Sequence, residues 1–67
     1  MIQFAVVLKN AEWTVYRDGQ PLVSGLTRSE AIAHAERLAF EAEEAAEDVS
    51  IVVQDYLGEM KTRYSGG

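Results

Sequence analysis

A chain with a single helical run must bury that helix's apolar side against something other than another helix. Here the run opens at Thr27 and reads TRSEAIAHAERLAFEAEEAAED to residue 48. Thr27 with Glu30 three positions on is a capping box, in which each side chain satisfies the other residue's unpaired backbone amide. The alanines, glutamates and leucine behind it favour helix, so the spacing predicts a helix from Thr27 to about Ala46. At about 100° per residue, Ile32, Ala35, Leu38, Ala39, Ala42, Ala45 and Ala46 share one broad sector. One such helix covers one side of one sheet, which makes a two-layer α+β domain the economical solution.

The flanking segments supply the sheet. Ile2, Phe4, Val6 and Leu8 alternate with Gln3, Ala5 and Val7, the period-2 pattern of a strand with one strongly apolar side. A turn at KNAE leads to WTVYR, in which Trp13 and Val15 alternate with Thr14 and Tyr16. Asp18-Gly19 is a tight-turn pair, because glycine accepts a positive φ at no steric cost, and PLVSG behind it reads as a short third strand with Pro21 suited to an edge. After the helix, VSIVV, a glycine-containing turn at DYLGE and MKTRY form a second hairpin. The expectation is one domain over residues 1–67: an α+β antiparallel sheet of four to five strands with one helix packed on one face. Its chain order is strand, strand, short strand, helix, strand, strand, with residues 65–67 as a frayed tail.

These motifs together resemble a family of short, uncharacterised bacterial domains of unknown function. Members pair a W-x-V strand, here Trp13 and Val15, with a helix start T-x-x-E-A-x-x-x-A, here Thr27, Glu30, Ala31 and Ala35. A V-V-x-D-x-x-G hairpin ending near a tyrosine follows, matched by Val52, Val53, Asp55, Gly58 and Tyr64. The resemblance spans nearly the whole chain and implies the fold. It brings no activity, and the helix tail here is more acidic than the family pattern.

The residue inventory excludes most chemistry. Without cysteine there is no disulfide, thiol nucleophile or thiolate zinc site. The serines stand in no nucleophile elbow, there is no glycine-rich phosphate loop, and His34, the one histidine, has no second acid–base group spaced to work with it. The chain is therefore read as not an enzyme, with no cofactor and no metal. The pairs Glu43/Glu47 and Glu44/Asp48, one helical turn apart, offer too few converging oxygens for a selective cation site. Lys9, Lys61, Arg63 and Tyr16 are too few for a nucleic-acid surface, so no direct nucleic-acid binding is expected. MIQFAVVL is too short to span a membrane, and the protein is read as cytoplasmic. The terminal Gly66-Gly67 raises the reading of a carrier protein, but the segment after the helix is too short for the extra strands that such folds place there.

What remains is the distribution of charge. Within residues 28–48, Arg28 and Arg37 stand against seven acids, Glu30, Glu36, Glu41, Glu43, Glu44, Glu47 and Asp48, which accounts for the whole net charge of −5. Acids in the last turn oppose the helix macrodipole, so local stability does not explain them. On the helical wheel Phe40 falls between Glu47 and Glu44, off the apolar sector, and is expected to be exposed. Glu36, Phe40, Glu43, Glu44, Glu47 and Asp48 thus form a candidate partner-binding surface for a protein with a basic face. Ala5, Val7, Tyr16 and Val52, on the sheet side away from the helix, form a candidate self-association surface for a homodimer. The reading is a non-catalytic protein-binding module acting through these two surfaces. The alternative is a phage-type, anti-CRISPR-like inhibitor whose acids mimic nucleic-acid phosphates.

Overall fold

The computed structural model of the chain describes residues 1–55 and 57–66. Strands β1 (Ile2–Lys9), β2 (Glu12–Arg17) and β3 (Gln20–Leu26) precede helix α1 (Arg28–Glu44), and β4 (Val49–Gln54) and β5 (Met60–Gly66) follow it. All five strands lie in one sheet, in the spatial order β3-β2-β1-β4-β5. Helix α1 packs across β1, β4 and β2 and touches β3 at its margin.

Local chemistry explains the turns. Asn10 and Ala11 have φ of 53° and 64°, and Asp18 and Gly19 have 49° and 85°. Two consecutive positive φ values make the primed turn whose twist matches that of the strands it joins. Between the pairs Trp13–Leu26 and Val15–Val23 the third strand holds Ser24 and Gly25 where the second holds only Thr14. Gly25 absorbs the extra residue with φ of 74°, a conformation that side chains disfavour.

The core lies between sheet and helix. Ile2, Phe4 and Val6 of β1, Val15 of β2 and Val49, Ile51 and Val53 of β4 are buried against Ala31, Ile32, Ala35 and Ala39. The small alanines let the helix approach the larger sheet side chains closely. Each fully buried valine, isoleucine or phenylalanine contributes about 1.5–3 kcal/mol relative to exposure. Leu8 is 46% exposed, so the apolar face of β1 ends at Val6.

One expectation is corrected and two element ends are placed more closely. The sheet is mixed, not antiparallel: β1 pairs with β4 in parallel, from Ile2–Val49 to Val6–Val53, while the other three pairings are antiparallel. The cause is topological. Two hairpins leave the chain heading the way β1 did, α1 carries it back, and β4 starts again in the direction of β1, whose unpaired edge is the nearest partner. The helix stops at Glu44, short of Ala46. The amide of Glu47 donates to the Ala42 carbonyl at 3.1 Å and that of Ala46 to Glu43 at 2.9 Å, a Schellman closure with Ala46 at φ 65°. Finally, β5 runs through Gly66, with Ser65 and Gly66 paired to Ser50 and Val49; Gly67 lies outside the described residues.

Candidate partner-binding site

Because α1 lies over the centre of the sheet, β5 is left beyond its edge. The strip between them is a groove of about 250 Å³ lined by Glu36, Ala39, Phe40, Glu43, Ile51 and Tyr64. Ala39 and Ile51 belong to the buried core and make its apolar floor, while Phe40 is 62% and Tyr64 40% exposed along its sides. Two carboxylates sit among these rings.

A bulge sets the β5 side. The β4–β5 register passes from Ile51–Tyr64 to Val52–Thr62, so Arg63 is an extra residue. An extra residue locally breaks the in-out alternation, and consecutive side chains both reach the helix. The Tyr64 hydroxyl donates to Glu43 Oε2 at 2.6 Å, and Arg63 Nε donates to Glu36 Oε2 at 3.4 Å. The first is a short charge-assisted bond of the stronger kind. The second joins two half-exposed groups at long range and is worth little. The Glu43 carboxylate holds the Tyr64 phenol proton in place and pushes its pKa above the ordinary tyrosine range.

Of the six residues expected to meet a partner, Glu36, Phe40 and Glu43 line this groove together. Glu44 is exposed on the last turn and outside the lining. Glu47 and Asp48 lie past the helix end: Glu47 borders a different hollow with Ile2, Arg17, Leu22 and Glu41, and the Asp48 carbonyl accepts from the Ile2 amide at 2.8 Å. The pairs Glu43/Glu47 and Glu44/Asp48 therefore do not stand one turn apart on a helix. Among the described residues no group of three or more metal-ligating side chains converges. Ile51 lines the groove as a core residue of β4, whereas the approach of Arg63 and Tyr64 to α1 depends on strand register and the bulge, which leave no local sequence signal.

The second candidate surface is on the uncovered side of the sheet. Ala5 pairs with Tyr16 on one side and Val52 on the other, a continuous row across β2, β1 and β4, and Val7 lies beside Thr14 two positions along. Ala5, Val7, Tyr16 and Val52 are all half-buried.

Elsewhere, a hollow of about 440 Å³ is lined by Leu8, Trp13, Arg28, Gln54, Asp55 and Gly58. Its polar groups hold the fold: Gln54 accepts from the Leu8 amide at 2.8 Å, and Asp55 Oδ1 accepts from Leu57 and Glu59. The Arg28 guanidinium lies 5.8 Å from the Trp13 ring centroid. His34 Nδ1 accepts from Arg37 at 3.2 Å, and Lys61 Nζ is 3.0 Å from Glu59. No described helix is long and apolar enough to cross a membrane. Comparison with family models, curated proteins and solved structures finds no match.

Proposed function

We propose that the chain is a non-catalytic, cytoplasmic protein-binding module of the short bacterial kind it resembles, and that the groove between α1 and β5 receives a partner with an apolar anchor and basic flanks. The observation that carries this reading is Phe40, 62% exposed beside a floor of buried core residues and bordered by Glu36 and Glu43. An aromatic at a groove supplies area that a partner can desolvate, and such residues dominate binding energy. Acids around it contribute mainly orientation and association rate. The Tyr64–Glu43 bond supports the reading, because it holds one ring and one carboxylate in place before any partner arrives.

Phosphate mimicry is the second reading, favoured by the confinement of the net charge of −5 to residues 28–48. Capture from the native host at low and high salt, with wild type and Phe40→Ala, separates the two. A groove-bound partner stays at high salt and is lost with Phe40→Ala. A partner that is released by salt and indifferent to Phe40→Ala overturns the groove in favour of mimicry, since phosphate-channel binding is salt-sensitive.

A further inference from the structure

We infer that the sheet face opposite α1 closes a two-fold homodimer, sheet against sheet, on a surface independent of the groove. The first support is the strand pairing. The central strand β1, IQFAVVLK, and its neighbour β4, VSIVVQ, run parallel and carry apolar residues on both sides. The sheet is mixed, and its parallel pair brings half-buried apolar residues, Ala5, Val7 and Val52, to a face that the single described helix does not cover. A second copy of the chain can supply the missing layer.

Charge selects the occupant. The middle of the uncovered face, where Ala5, Val7, Thr14, Tyr16, Val52 and Thr62 lie by alternation and register, carries no carboxylate and no cation. Lys9 and Glu12, of opposite sign, face each other at its rim. The net charge of −5 resides in residues 28–48, on the helix layer and its exit. Sheet-to-sheet packing puts the two helices at opposite ends of a four-layer stack, roughly 30 Å apart for layers spaced about 10 Å. That is several screening lengths at physiological salt. Any contact using α1 brings the acids of two copies closer, so the neutral face is where a second copy meets least repulsion.

Shape and size agree. Ala5 is a low point between Tyr16 and Val52, and a two-fold contact seats each copy's Tyr16 in the other's trough, as a self-complementary interface requires. Five strands at about 4.8 Å spacing and six residues at about 3.3 Å give roughly 500 Å² per copy. Roughly 1,000 Å² in total is the low end of specific interfaces, the size of a reversible contact.

Sedimentation equilibrium across micromolar to millimolar concentration is expected to show the mass rising from 7.4 kDa towards twice that value. Thr62→Lys, on an edge strand that tolerates charge, and Val7→Lys should each weaken the dimer at least tenfold, with circular dichroism confirming the fold, while Phe40→Ala leaves it unchanged. Spin labels on Ala33→Cys, on the exposed helix surface, should lie roughly 30 Å or more apart in the dimer. A monomer at every concentration overturns the inference. So does a dimer indifferent to Thr62→Lys, or one whose Ala33 labels fall within about half that distance, because either result places the contact on another surface.

Discussion

Phe4 and Phe40 are the two phenylalanines of the chain, 2% and 62% exposed, and identical truncations at them should report opposite things. Phe4→Ala leaves a cavity under α1 and is expected to cost about 3–5 kcal/mol, whereas Phe40→Ala should change the midpoint of urea unfolding by less than about 0.5 kcal/mol. If Phe40→Ala unfolds the protein, the ring belongs to the core and the groove reading fails. Two alanines sit in a conformation suited to glycine, Ala11 at φ 64° and Ala46 at φ 65°. Ala46→Gly at the helix closure and Ala11→Gly, which creates the favoured Asn-Gly turn, should each stabilise by about 0.5–1 kcal/mol, after the added flexibility of the unfolded chain is subtracted. Thermal melts should rise by a few degrees, and a fall in either variant would show that the strain is not there.

At the scale of the helix, the capping box carries both a stability and a pH prediction. The Glu30 amide donates to Thr27 Oγ1 at 3.2 Å and the Thr27 amide to Glu30 Oε1 at 2.9 Å. Thr27→Ala should therefore cost about 1 kcal/mol. The Thr27 amide, and then its hydroxyl, stabilise the charged Glu30 carboxylate and lower its pKa. A lowered folded pKa means a contribution that is full above the ordinary glutamate range and lost as pH falls through the lowered value. Unfolding measured down an acid series should show wild type losing this increment relative to Glu30→Gln. Across the groove the sign is reversed. Raised by the bond to Glu43, Tyr64 contributes below the ordinary tyrosine range and loses that contribution as pH rises through its own value. Phenolate absorbance should show a late-titrating component that returns towards the ordinary tyrosine range in Glu43→Gln.

For the whole molecule, the relevant quantity is how little stability a domain of 67 residues holds. At roughly 0.05–0.15 kcal/mol per residue the total is roughly 3–10 kcal/mol, so the loss of one central side chain is comparable to all of it. Ile51→Ala, at 1% exposure both core residue and groove floor, is expected to cost about 2–5 kcal/mol. It should lower stability and partner capture together, whereas Phe40→Ala separates them. That contrast, read by denaturation and capture on the same samples, distinguishes a groove held up by the core from a surface patch.

Local chemistry determined much of this protein. The capped helix start, the Asp18-Gly19 turn, the alternation of β1 and the exposure of Phe40 follow from residues within a few positions of one another, and such signals survive without tertiary context. The parallel β1–β4 pairing could be inferred in part, since counting directions through two hairpins and a returning helix points β4 the way of β1, but no short-range pattern states which free edge it joins. The helix end is closed by a turn in which Ala46 takes a left-handed backbone that its side chain does not favour, and β4 begins three residues later beside Ile2. The groove is the most tertiary feature of all. Glu36, Phe40 and Glu43 share a helix and could be grouped by periodicity, whereas Ile51, Arg63 and Tyr64 join them through strand pairing and a one-residue bulge, because register is set by the packing of distant segments and not by the residues that it places.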